Sequence, residues 1–306
     1  MKINKLNNSI LKGAFLALAS ILVSFSNLQA AYFFAPSDET TTINNDVSNS
    51  GIIRINERGI IVFQNSSLGT AESGRYEINC SSVGGCELRA LSNTTMYIGF
   101  VNSLYMNMTI SGNSSIFFDN NVYSPDYVIT VVNNSTLKAP SVLAKNIYLM
   151  SNAQAEFAAN VSATMSVNYS TWTSLGTSNI ATLNIDHGAI ELLMGSATDA
   201  IYADKINASA GSSIVHNFTN DFIDTIMSGD GYFDLNTENT IVSSNINGTI
   251  DMSVANTNGT YVWTVTDHGD GVNFRVSDFA LIPEPSTYAV IFGALALGLA
   301  IYRRRK

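Results

Sequence analysis

Charge is what this chain has least of. Only 13% of its 306 residues are charged, about half the share in an ordinary soluble domain, which is near 25%. Cations are scarcest, with 15 Lys and Arg against 24 Asp and Glu. Seven of the cations sit at the ends: Lys2, Lys5 and Lys12 at the start, Arg303, Arg304, Arg305 and Lys306 at the finish. Residues 31–282 therefore hold 23 acidic against 8 basic side chains, a balance of −15. So acidic a surface repels phosphodiester backbones and excludes nucleic acid as a partner. There are three histidines and two cysteines. No H-E-x-x-H, G-x-S-x-G, phosphate loop or dinucleotide fingerprint occurs, so no catalytic residue, metal site or cofactor is expected. Proline is rare in the body, at Pro36, Pro125 and Pro140, and long helical periodicity is missing, which excludes a helical bundle.

What is present begins with the two ends. Residues 2–12 are lysine-containing, and Ala14 to Phe25 is an apolar run broken only by Ser20 and Ser24. A basic start, a short apolar run and the small residue Ala30 outline a signal peptide, residues 1–30, cut after Ala30. The run is too short for a membrane span, which takes roughly 20 apolar residues. Tyr288 to Tyr302 is a second uncharged apolar stretch, followed at once by Arg303-Arg304-Arg305-Lys306. At about 1.5 Å per residue it spans roughly 22 Å as a helix, enough for a single C-terminal transmembrane helix with snorkelling ends. The four cations resist translocation and anchor this end on the cytoplasmic side.

Just before that stretch stands Pro283-Glu284-Pro285-Ser286-Thr287. Two prolines around a glutamate block helix and sheet hydrogen bonding and favour an extended, exposed segment. Pro-Glu-Pro, apolar helix and arginine cluster, in that order over residues 283–306, resemble the PEP-CTERM sorting tail of exported bacterial proteins, a tail also catalogued as an ice-binding protein C-terminal domain. The resemblance implies that Pro283, Glu284 and Pro285 are recognised by an exosortase, a membrane cysteine protease that cuts nearby and releases the body from the inner membrane. Tyr288 stands where the family often has Trp, another interfacial aromatic.

Between Ala31 and Ile282 short alternating runs recur, such as Ile53-Arg-Ile55, Tyr76-Glu-Ile78 and Tyr127-Val-Ile129-Thr-Val131, bounded by Asn, Gly and Ser. Period-two alternation between turn residues predicts an all-β body. Ile55, Ile78, Ile98, Ile129, Leu149, Val167, Ile185 and Ala208 recur at about 20 residues, with an extra strand near Met108. A unit of that size cannot bury its own apolar face but shares one in a stack, which predicts a right-handed parallel β-helix or β-solenoid over 31–282. The irregular spacing keeps a β-sandwich open as the alternative. Residues 32–50 read as a polar lead-in, 261–276 as a hairpin around a glycine-rich turn, and 277–282 as a link to the tail.

Few other groups carry chemistry. Cys80 and Cys86 enclose Ser-Ser-Val-Gly-Gly and, in an exported protein, predict a local disulfide. Asp267-His-Gly-Asp-Gly271 lacks the ligand order of a calcium loop and reads as a turn. Asp221, Asp224, Asp230, Asp234 and Glu238 read as solvated acidic surface. Thr171-Trp-Thr173 and Thr264-Val-Thr266 do not recur from unit to unit, and Asn-x-Ser/Thr triplets such as Asn65-Ser-Ser67 read as turns. The expected role is that of an exported cell-surface or matrix protein of a Gram-negative-type bacterium, structural or adhesin-like, in contact with exopolysaccharide and not an enzyme. The alternatives are a polysaccharide-degrading β-helix enzyme and an ice-binding protein with the same tail.

Overall fold

A computed structural model describes residues 31–72, 74–80, 85–102 and 105–282. The chain winds into a β-solenoid of about nine turns, nearly all of it strand. Each coil contributes three short stretches of strand, and most stretches pair in parallel with their counterpart in the next coil, so the stack has three sheet faces. The first face opens with Ala31–Ala35 on Gly51–Ile55 on Tyr76–Cys80. The second opens with Thr40–Asn44 on Ile60–Gln64 on Cys86–Leu91 on Met106–Ser111. The third opens with Val47–Ser48 on Ser67–Leu68 on Thr95–Asn102 on Ser115–Phe118. Later strands such as Thr136–Met150 and Gln154–Asn168 run round two corners and serve all three faces.

Alternation along each strand decides what is buried. Every second side chain points inward and meets the residue in register above and below it. On the second face this makes one column of Leu88, Met108, Ile129, Ile147, Met165, Leu183 and Ile206. On the third face Met96, Ile116, Leu137, Ala155, Trp172, Ile190 and Ile214 form another. The small Ala155 sits directly above the large Trp172, which is fully buried, and the indole N–H donates to the Phe157 carbonyl at 3.1 Å. All these residues belong to one hydrophobic cluster reaching from Ala35 to Val276.

The corner between the second and third faces repeats most faithfully. Asn45, Asn65, Asn93, Asn113, Asn134, Asn152, Tyr169 and His187 turn it with φ between 44° and 62°, the left-handed conformation that asparagine tolerates better than most residues. In most coils the next residue is a buried hydroxyl: Ser66, Thr94, Ser114, Ser135, Ser170 or Ser212. All but Ser212, whose hydroxyl donates to the Ile185 carbonyl at 2.9 Å, cap a backbone amide of the coil before. Ser66 Oγ accepts from the Asp46 N–H at 3.2 Å, Ser114 Oγ from Thr94 at 3.1 Å, Ser135 Oγ from Ser114 at 3.2 Å, and Ser170 Oγ from Ala153 at 3.2 Å. The Asn-Ser and Asn-Thr steps of the sequence are the signature of this corner.

The stack ends in a different architecture. Helix Asn220–Ser228 starts at Thr219, whose hydroxyl accepts from the Phe222 N–H, and stops at Gly229. Tyr232–Asn236, Tyr261–Asp267 and Asn273–Leu281 form a three-stranded antiparallel sheet. Phe218, at the end of a solenoid strand, makes ring contacts with Phe222, Phe233 and Trp263, and Trp263 reaches Phe279. The cap is thus bound to the stack through aromatic side chains. Between them the last, short coil is made by Ile241–Ser243, Ile246–Gly248 and Asp251–Val254.

Several expectations are corrected in detail. Residues 32–50 form the first coil rather than a lead-in, and residues 277–281 belong to a sheet strand rather than a link. Leu149, Val167, Ile185 and Ala208 are stacked as the spacing predicts. Ile55 lies instead against Cys80, Ile78 pairs with Ile53, and Ile129 with Ile147, because the early part of the series mixes two faces. The strand at Met108 is no extra one: it is the second-face strand of its own coil. A single parallel stack also replaces the sandwich alternative.

Candidate functional site

The signal peptide, Pro283, Glu284, Pro285, the apolar stretch and Arg303 to Lys306 lie outside the described residues. Among the described residues no helix is long and apolar enough to cross a membrane. Cys80 and Cys86 are joined by a disulfide with Cα atoms 6.3 Å apart, Cys80 closing a first-face strand and Cys86 opening the second-face strand of the same coil.

The acidic residues of 221–238 do not converge. Asp224 accepts the Tyr261 hydroxyl at 2.6 Å, tying the helix to the hairpin, and Asp234 takes the Arg275 guanidinium in a two-pronged pair at 2.7 and 2.8 Å. In the 267–271 turn the carboxylates serve the backbone. Asp267 accepts from Gly269 and Gly271, and Asp270 accepts from the Val272 and Asn273 amides and the Asn273 side chain. These donors hold the Asp270 carboxyl down at about 2. No group of three or more His, Cys, Asp and Glu that could hold a metal ion occurs among the described residues.

One cluster has the residue types of a catalytic relay. His187 Nδ1 lies 2.9 Å from Asp186 Oδ1 and 3.4 Å from Ser209 Oγ. A serine–histidine–aspartate relay needs the two partners on opposite ring nitrogens. Here both approach the same one, so the cluster cannot pass a proton from serine through the ring. The His187 ring instead stacks on Tyr169 at 4.8 Å with planes 4° apart, and the two rings cover each other.

A concavity runs along the corner between the first and second faces over the last four coils. It is an open groove of about 490 Å³. Asn160, Asn179, Tyr202 and Val242 are in register and exposed along one wall. Val161, Ile180 and Ala203 form the floor, and Ser162, Asp204 and Ser244 line the other wall. At this corner the strands shift register between Val161 and Thr164.

These side chains were not singled out by sequence. The signal is present, since each precedes or follows an inward apolar residue at a corner, but it is readable only once the coils are in register. No family model, no curated protein and no solved structure matches this chain.

Proposed function

We propose that the chain is the precursor of an exported bacterial surface or matrix protein, held in the membrane by residues 288–302 until an exosortase-type protease acts at Pro283-Glu284-Pro285. The observation that carries the reading is the ordered tail over 283–306: a proline-bracketed glutamate, an apolar stretch of spanning length and four consecutive cations. Its resemblance to the PEP-CTERM signal supplies the protease as partner and the release step.

Three features of the body fit this reading. The first strand opens at Ala31, whose N–H donates to the Ser50 carbonyl at 2.9 Å, and a new amino group left by a cut after Ala30 keeps that donor. The last strand ends at Leu281, so a cut at or beyond 283 removes no strand of the sheet. A disulfide suits an oxidising compartment. The solenoid, wound right-handed as right-twisted strands favour in parallel crossovers, acts as a stiff, charge-poor scaffold in contact with exopolysaccharide rather than as an enzyme.

The test is Glu284→Ala in the native host. The wild-type body is expected in the extracellular or surface fraction, and the variant is expected to accumulate in the membrane at full precursor mass. Equal distribution and equal mass of the two would overturn the reading.

A further inference from the structure

The groove over the last four coils differs from the second face beside it in how its polar groups are used. There the asparagines of the same coils satisfy one another. On the second face Asn184 donates to Ser166 at 3.3 Å, Asn207 to Asn184 at 2.8 Å and Asn247 to Asn207 at 3.2 Å, a closed ladder. Among the described residues no side-chain hydrogen bond occupies the Asn160 or Asn179 amide, the Tyr202 hydroxyl or the Asp204 carboxylate. Each asparagine therefore offers a donor and an acceptor, Asp204 offers acceptors and Ser162 a hydroxyl, while the Ser244 hydroxyl donates to the Asp204 backbone carbonyl at 3.4 Å and offers an acceptor. Between the walls lies an apolar floor, and the Tyr202 ring stands 40% exposed above it.

Strands stack about 4.8 Å apart, so the four in-register wall positions rise over roughly 14 Å. That length suits a short oligomer rather than one small molecule. An aromatic ring for the C–H face of a pyranose, with paired donors and acceptors repeating on either side, is the chemistry that binds a polyhydroxylated chain. Charge narrows the class. Asp204 is the one ionic group in the lining, and the body as a whole stands at −15, which repels polyanions. Lys145, at the same corner one coil earlier, and Lys205, next to Asp204 on the second face, are the side chains that would favour an acidic chain instead.

We infer that the corner groove of Asn160, Asn179, Tyr202 and Asp204 is a binding site for an uncharged polysaccharide chain laid along the solenoid axis. The inference rests on the reading of the protein as exported into an exopolysaccharide matrix, and names the surface that makes the contact.

The experiment uses the full-length chain in a polyoxyethylene detergent, which carries no sugar, titrated with neutral oligosaccharides (glucan, mannan and galactan series) and with uronate oligomers. Binding to at least one neutral series is expected. Tyr202→Ala should weaken it about tenfold, the contribution of one stacked aromatic contact, and Asn179→Ala should weaken it severalfold. Tyr123→Ala, which removes another exposed tyrosine, should leave it unchanged. Both ring truncations are on the surface, so the fold is retained and checked by circular dichroism. Binding to uronates alone, binding to none of the series, or neutral binding indifferent to Tyr202→Ala and Asn179→Ala would overturn the inference. Fractionation separates this from the reading beneath it. A chain that reaches the matrix but binds no glycan at the groove defeats only the inference, and one that binds glycan but never leaves the membrane defeats only the reading.

Discussion

The stack and its cap bury apolar surface by opposite means. In the stack each inward residue meets the in-register residue one coil away, for the most part another aliphatic side chain, and the interactions are between nearest neighbours. In the cap the strands run antiparallel, a helix precedes them, and Phe218, Phe222, Phe233, Trp263 and Phe279 join in one set of ring contacts. The stack spends its specificity on corners, the cap on a single aromatic cluster. Repetition needs a precise turn in every coil, whereas termination needs one non-repeating core that closes the last apolar surface.

The largest expected effect breaks the stack at its widest side chain. Trp172→Ala empties a fully buried site beneath Ala155, and removal of a buried Trp costs about 3–5 kcal/mol. Chemical denaturation should register the loss, and hydrogen exchange should rise first in the coils next to it. Trp263→Ala should instead raise exchange in the cap while the early coils keep their protection. Uniform exchange in both variants would mean that stack and cap are one cooperative unit.

The corner comes next. Ser114→Ala leaves the buried Thr94 amide without an acceptor, at a cost of about 1–3 kcal/mol, though the hydroxyl itself is small. Asn113→Gly should cost only a few tenths of a kcal/mol, because glycine adopts the left-handed turn freely, while Asn113→Val should cost about 1–2 kcal/mol. Denaturation midpoints of the three variants rank them.

The smallest effect sharpens the comparison at the joint between the two regions. His216 is fully buried, its Nδ1 3.1 Å from the Ser253 carbonyl of the last coil and its Nε2 2.5 Å from the Thr240 hydroxyl beside the cap. Burial holds its pKa below the ordinary 6.5, so the ring is neutral in the fold. The unfolded chain then takes up the proton first as pH falls. Stability from this group is complete above about pH 6.5 and declines below it, down to the folded pKa. Denaturation across pH 7.5 to 5 should show the decline, and His216→Gln should flatten it. An unchanged slope in the variant would remove His216 as the cause.

The parallel stack was legible in sequence because alternation and a recurrence near 20 residues both follow from coil geometry. Register was legible only from Leu149 onward, where Leu149, Val167, Ile185 and Ala208 all fall on one face. Earlier, the step from Ser67–Leu68 to Tyr76–Cys80 is longer than that from Val47–Ser48 to Gly51–Ile55, and an apolar-x-apolar pair on the first face looks the same as one on the second. The better marker was the asparagine followed by serine or threonine, since a left-handed turn with an inward hydroxyl is a far narrower demand than an apolar residue. The helix also carried its signals, Thr219 before it and Gly229 after it, with Phe222, Ile223 and Ile226 on its buried face. Nothing in the sequence distinguished the free asparagines at 160 and 179 from the laddered ones at 184, 207 and 247, because that difference arises only when the coils are stacked.

The account stands on processing of an anchored precursor. The most direct measurement places one epitope after Ala31 and a second after Lys306 and follows both through cell fractionation and intact mass. The account predicts that the first epitope leaves the membrane on a product shortened near Pro283-Glu284-Pro285 while the second stays behind. Both epitopes travelling together on one uncut chain, in any fraction, would contradict it.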